Sequence, residues 1–309
     1  MEIRRYSAGL APAWKAFNSR ARNGHFMFDR GFMDYHADRF TDASLVAIED
    51  GAPVALLALN RAGDEAWSHQ GLTFGGLVVD GIGAAQVLSV LDACADHLAA
   101  AGVTHLTYKA LPPIYPRAPA QADLYWLFRR EAVLIRRDVS VAIDYRGRGP
   151  VSGRRTRGAR KAENASLAFG RSQDWAGFWG LLEEVLAGRH GAAPVHSLAE
   201  IQLLAGRFPE EIALFTATQG DALQAGVVMF RSAQVAHAQY IAVGDAGREN
   251  GALDGLFAHL IQLHAATHRY FDFGICNTDQ GRVLNEGLAR QKEEFGGSAV
   301  VHDFYRVAL

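Results

Sequence analysis

The sequence reads as an α+β protein made of two similar halves, and three observations carry that reading. The chain has 309 residues, enough for one large domain or two ordinary ones. Its composition, 49% hydrophobic and 21% charged, is that of an ordinary soluble globular protein. One string of elements (strand, strand, strand, loop, helix, strand) occurs twice at matching intervals.

In the first half, residues 44–60, "SLVAIEDGAPVALLALN", are two apolar runs around Asp50-Gly51, a strong hairpin signal. "EAWSHQG" and "GGLVV" follow as short strands. Residues 82–101 read as a helix, with Val87, Leu91, Cys94 and Leu98 on one face and Gly102 as its stop. "VTHLTYKAL" is the next strand. In the second half, "EIALFTATQGDALQAGVVMF" is strand, turn at Gly220-Asp221, strand, and "AHAQYIAV" is a third strand. The glycine-bearing loop "GDAGRENGA" leads into a helix whose Leu253, Leu256, Phe257, Leu260 and Ile261 recur at amphipathic spacing. "YFDFGI" is the strand after it. From Ala84 to Val103 and from Gly251 to Tyr270 the interval is 19 residues in both cases. Duplication is the simplest account; the shared grammar of α+β domains is the other.

Glycine and proline mark a linker over 146–153, so the expected domains are 1–150 and 151–309. Arg154, Arg155, Arg157, Arg160 and Lys161 cluster on a helix that opens the second. The net charge of −2 argues against a surface committed to nucleic acid, though a local basic patch stays open. Two cysteines, Cys94 and Cys276, make no disulfide framework. The charged start resembles no signal peptide, and no apolar run approaches the roughly 20 residues that span a bilayer. A cytoplasmic protein is expected. No His/Cys cluster has metal-ligand spacing, and no metal is expected.

The order of elements over residues 210–309 resembles a GNAT acyltransferase domain. Two such units joined by a basic helix resemble the Fem-like branch of that superfamily. Within it, "FMDYHADRFTDASL", "SHQGLTFGGL", "HGAAPVHSLAEIQLL" and "LNEGLARQKEEFGGSAVVHDFY" are similar to bacterial nucleotide-sugar N-acyltransferases of surface-polysaccharide biosynthesis. The resemblance implies coenzyme A as acyl carrier, a nucleotide-linked amino sugar as acceptor, an acceptor-side domain over 1–150 and an acyl-CoA domain over 151–309. It also implies that the strand before the main helix splays from its neighbour and offers a free backbone N–H, here in the Ile241–Ala242 region. The loop at the helix start would hold a pyrophosphate on its amides. That loop carries Arg248, Asn250, Gly251 and Ala252, with Leu253 where the family pattern has a small residue.

Acyl transfer to an amine needs a proton acceptor, hydrogen-bond donors for the thioester oxygen, and positioning. His36, flanked by Asp34, Asp38 and Arg39, is a solvated helix residue or a base. His69, a second candidate base, and Gln70, an acceptor contact, precede a bend at Gly75 and Gly76, where a ligand or a plain turn would account for the glycines. His190 and His196 bracket "GAAPV" as acceptor contacts or idle loop residues; Ser197 and Glu200 read as a capping box. Strand alternation puts His237 and Tyr240 on opposite faces unless a bulge intervenes. Tyr240 is a core residue or a substrate contact. Asp272, inside an apolar strand, is an anchor or a base with a raised pKa. Asn277 and Asn285 suit sugar hydroxyls or pantetheine amides. Lys292 is a solvated lysine or a phosphate contact, and Cys276 a packing residue. Arg157 and Lys161 belong to a solvated helix face, or would grip the diphosphate of a sugar nucleotide or the phosphates of a transfer RNA. Lys109 and Tyr115 would receive a nucleotide base, unless the proline-rich loop simply packs there. Two other functions fit less of the pattern: a peptidyltransferase fed by aminoacyl-tRNA, and a non-catalytic module that binds a nucleotide or a partner protein.

Overall fold

The computed structural model describes residues 1–309, with the side chains of Arg189 and His190 outside the description. The fold is mixed α+β, its sheets mostly antiparallel and flanked by helices. The chain divides into two compact units. The first comprises 1–139 with 277–283 and 301–309, and the second 140–276 with 284–300. No described helix is long and apolar enough to cross a membrane.

In the first unit, strands β1 (Glu2–Arg5), β2 (Leu45–Glu49), β3 (Ala52–Leu57) and β4 (Leu77–Val79) form an antiparallel sheet in that order. Asp50 and Gly51 both take positive φ, 50° and 78°, as a tight hairpin requires. Helix α1 (Ala84–Ala100) buries Val87, Leu91, Cys94 and Leu98, the face the spacing predicts. Strand β5 (His105–Lys109) belongs to another sheet, parallel to Glu65–Trp67 and antiparallel to Phe304–Ala308. Side chains seal the gap between β4 and β5. The Leu77 N–H donates to Tyr108 Oη at 2.7 Å, and the Val79 N–H donates to Asn23 Oδ1 at 2.8 Å. Asn23 Nδ2 donates to the Leu77 carbonyl at 2.8 Å.

The bend over residues 68–76 is held from within. Lys109 Nζ donates to the carbonyls of His69 (2.9 Å), Gln70 (3.2 Å) and Leu72 (2.6 Å). Burial brings this ammonium down to about 8. His36 and His69 stack at 5.4 Å, both buried. Burial, with the neighbouring His36 and Lys109, pushes His69 down to about 3, so the ring stays neutral.

The second unit is built on one sheet. Strand β6 (Val133–Asp144) contributes its residues from Ser140 onward. The others are β7 (Ala168–Ser172), β8 (Ile212–Gln219), β9 (Ala222–Arg231), β10 (Val235–Val243) and β11 (Tyr270–Ile275), in the order β7-β8-β9-β10-β11-β6. All neighbours are antiparallel except β10 and β11. Helix α2 (Gly153–Asn164) carries the basic cluster, and α3 (Trp175–His190) and α4 (Leu198–Arg207) follow. The stretch read as a loop before the main helix is instead a short helix, α5 (Asp245–Asn250), ended by Gly251 at φ 79°. Helix α6 (Ala252–His264) starts there and buries Leu256, Phe257, Leu260 and Ile261 on the sheet. Helix α7 (Glu286–Glu293) is capped by Asn285.

Glycines let α2 and α6 touch. A Cβ on Gly251 would lie 2.4 Å from the Gly158 carbonyl oxygen, and one on Gly158 would lie 1.8 Å from Asp254 Oδ2. Arg155, buried on α2, reaches Asp254 at 2.5 Å and Glu294 at 2.8 Å and ties the contact electrostatically.

Two outcomes follow from these contacts. Gly251→Ala adds a left-handed strain and a backbone clash, and we expect a loss of about 3 kcal/mol. Denaturant unfolding checks it; an unchanged midpoint contradicts the packing. The second concerns pH. The unfolded chain protonates residue 69 near 6.5 and the folded chain only near 3, so stability falls as pH drops below 6.5. His69→Asn keeps an acceptor for the Gly71 N–H, which His69 Nδ1 accepts at 3.2 Å. It should flatten the slope between pH 6 and 4 by up to ~1.4 kcal/mol per pH unit. An unaltered slope would show that the ring already charges in the folded state.

Candidate functional site

The site of the second unit begins where two strands part. Strands β10 and β11 pair only at Val235–Tyr270, Ala236–Phe271 and His237–Asp272. Across β9, Tyr240 faces Val228 while Ala238 faces Met229, so Gln239 is an extra residue, a β-bulge. Past it, β10 follows β9 alone. On the other side β11 slips register between Asp272 and Ile275, with Gly274 at φ 78°.

The parting leaves backbone groups without a neighbour strand. The Gly244 N–H donates to the Gln224 carbonyl at 3.0 Å. By antiparallel alternation the Ala242 N–H therefore points to β9, and those of Ile241 and Val243 point to the side β11 has left. Of the expected donors, Ile241 is oriented for that role and Ala242 is committed to the ladder.

A cavity of about 670 Å³ opens against this edge. Ile241, Ala242 and Val243 form one wall, and Phe257, Phe273 and Phe295 an apolar one. Arg154 and Lys161 of α2, Arg248 of α5 and Gly251 stand around the rest. Arg248 Nη2 donates to the Val243 carbonyl at 2.9 Å, which holds the guanidinium at the cavity while its side chain stays about a third exposed. Asp254, the acid in the wall, is occupied by Arg155. The remaining cations suit an anionic ligand such as a diphosphate. Lys292 also lines the cavity, but it is buried and donates to the carbonyls of Gly274 and Ile275, both at 2.8 Å. Burial lowers its pKa. It closes off the end of β11 and is not the solvated lysine the sequence suggests.

The α6 end is less open than a bare amide cradle. The Ala252 N–H donates to Asn250 Oδ1 at 3.1 Å, and Asn250 Nδ2 donates to Gln224 Oε1 at 3.1 Å. Asn250 and Ala252 are thus engaged with the chain itself. Asn285 is a helix cap whose Oδ1 accepts from the Leu288 N–H at 3.0 Å. Asn277 lies in the first unit, accepting from the Val139 N–H at 2.6 Å and donating to Asp138 Oδ1 at 2.8 Å. Neither asparagine faces the cavity.

The expected bases also need correction. His36 and His69 are buried inside the first unit, which places them away from a solvent-facing reaction. Asp272 is fully buried. Its Oδ1 accepts from Ser140 Oγ and from the Gly274 N–H at 3.0 Å, and its Oδ2 pairs with His237 Nδ1 at 2.9 Å. It is an anchor. The Gln239 bulge brings His237 and Tyr240 to the same face, since their partners Phe230 and Val228 are two residues apart. Tyr240 Oη meets His196 Nδ1 at 2.5 Å, beside Trp179 of α3. His190 lies outside the described residues.

Among the expected acceptor contacts, Lys109 holds the bend described above. Gln70 is exposed and accepts from Asn60 Nδ2 at 2.7 Å. Gly75 packs on the backbone, since a Cβ there would lie 1.6 Å from the Ser68 carbonyl oxygen. Gly76, at φ 95°, faces Tyr108 Oη. Tyr115 is buried against Phe74, ring centroids 4.5 Å apart. These residues shape the first unit. Arg157 is exposed on α2 and does not line the cavity, whereas Lys161 does.

The first unit has a smaller counterpart of this cavity, about 150 Å³, beside Leu77 and Val79 of β4. Tyr108 and Asn23 already occupy the β4 edge there.

Residues 152–280 match the family model described as an acetyltransferase (GNAT) domain. No curated protein sequence matches the chain significantly. Solved structures do. FemX is 11% identical over 98% of this chain and 97% of its own, with a TM-score of 0.69. The C-terminal domain of a putative lysylphosphatidylglycerol synthetase from Agrobacterium fabrum is 12% identical over 97% and 91%, with a TM-score of 0.64. A tandem GNAT protein from the clavulanic acid biosynthesis pathway is 13% identical over 99% and 98%, with a TM-score of 0.50. These likenesses share the fold. The parted strands and the cationic cavity lie within or beside the stretch that matches this acetyltransferase model.

Proposed function

We propose that the chain moves an acyl group from acyl-CoA, held in the second unit, to the amine of a nucleotide-linked amino sugar. One observation carries the donor half: the unpaired edge of β10 faces a cavity that is apolar on one wall and cationic on the other. Arg154, Lys161 and Arg248 would hold phosphates, and the Ile241 N–H would donate to the thioester oxygen as negative charge develops there. The three phenylalanines exclude water from the reacting end. Bound acyl-CoA supplies the activated acyl group. The acceptor half rests on the sequence stretches similar to sugar N-acyltransferases. We place the reaction in the cytoplasm, the compartment of both substrates.

A second reading is aminoacyl transfer from transfer RNA, favoured by the likeness to FemX over nearly the whole chain. The exposed cations of α2 would then meet an RNA backbone. In either case the sealed β4 edge of the first unit leaves one donor site per chain.

Calorimetry should find one coenzyme A bound per chain, with an affinity that falls as salt is raised. Two per chain would contradict the sealing of β4. Arg154→Ala with Lys161→Ala should weaken binding at least tenfold, about 1.4 kcal/mol or more, with little change in thermal stability. Undiminished affinity would remove these cations from the site. Thiol release from acetyl-CoA with UDP- and dTDP-linked amino sugars tests the acceptor. Transfer only from aminoacyl-tRNA, with no stabilisation by coenzyme A, would replace the first reading with the second.

A further inference from the structure

We propose that His237 is the catalytic base that takes the proton of the attacking amine, with Asp272 and Ser140 as positioning residues. This rests on the reading of the second unit as the acyl-transfer site. His237 and Asp272 form the last rung of the β10–β11 pairing, and the strands part immediately beyond it. The cavity wall starts at Ile241 on one strand and Phe273 on the other.

Asp272 is fully buried, and a buried carboxylate must be matched by donors. Three donors surround it: Ser140 Oγ–H, the Gly274 N–H and His237 Nδ1–H. With its oxygens so occupied, Asp272 does not itself accept a proton from substrate. It holds the imidazole in the Nδ1–H tautomer, which leaves the Nε2 lone pair as acceptor. Among the described residues no group bonds to Nε2. The side chain keeps 12% of its surface accessible. Gly274 lies beside the ring, and an added Cβ there would touch Cε1 at 3.4 Å, a contact that glycine omits. The Gln239 bulge turns His237 to the same face as Tyr240. Tyr240 is no rival, because its hydroxyl is already engaged by His196.

In the step, the amine nitrogen forms the bond to the acyl carbon as the carbon–sulfur bond breaks. The amine proton passes to His237 Nε2, and the sulfur leaves as thiolate. The imidazolium then returns the proton to the thiolate or to solvent, which restores the resting form.

The test combines binding, turnover and spectroscopy on the full chain. His237→Gln should keep the coenzyme A dissociation constant within about twofold while kcat for thiol release from acetyl-CoA falls at least a hundredfold. His237→Ala should regain part of that rate with added imidazole. Asp272→Asn should lower kcat with little change in KM. Independently of turnover, nitrogen chemical shifts of the natural chain should show His237 protonated at Nδ1. Undiminished turnover in His237→Gln, or the Nε2–H tautomer, overturns the assignment of the base alone. Absence of coenzyme A binding, or of acyl transfer to any offered amine, in the natural chain overturns the acyl-transfer reading as well.

Discussion

The parting of two parallel strands is the constraint on which the second unit depends. A sheet in which β10 and β11 stayed paired to their ends would satisfy every backbone group and offer a ligand nothing. Here one extra residue, Gln239, and one left-handed glycine, Gly274, turn the strands apart after three rungs. Unpaired backbone groups are costly when buried away from any partner. The N–H groups of Ile241 and Val243 are tolerated without a strand partner because a cavity lies beside them. The arrangement therefore stores a hydrogen-bonding deficit that a ligand can fill.

Around that opening, packing and charge divide the work. Gly158 and Gly251 bring α2 against α6, and Arg155 pairs with Asp254 of α6 and with Glu294 beside it. One arginine of the basic helix is thus structural, while Arg154 and Lys161, a helical face away, are left for a ligand. The same helix stabilises the unit and supplies charge to its cavity. The first unit resolves the same topological gap differently, because Tyr108 and Asn23 fill it with side-chain hydrogen bonds.

Much of this was legible in the sequence where the signal is periodic or local. The Asp50-Gly51 hairpin, the apolar face of α6 and the Ser197–Glu200 capping box are present as read. Ile241, Arg248 and Gly251, read as cofactor contacts, and Lys161, read as a grip on the acceptor's phosphates, turn out to line one cavity. What was not legible depends on single-residue or long-range geometry. A bulge adds one residue without any composition signal, and alternation alone puts His237 and Tyr240 on opposite faces. His36, His69 and Lys109 look like surface chemistry in sequence, yet tertiary packing buries them and shifts their protonation. Asn250, Asn277 and Asn285 are polar residues near the right strand ends, but each is spent on capping or latching its own backbone.

The most direct measurement is a crystal structure of the chain with coenzyme A. The account predicts the pantetheine lying along the free edge of β10, between Ile241 and Phe273, with the diphosphate among Arg154, Lys161 and Arg248. Coenzyme A bound elsewhere, or β10 and β11 paired along their whole length with the cavity closed, would contradict it.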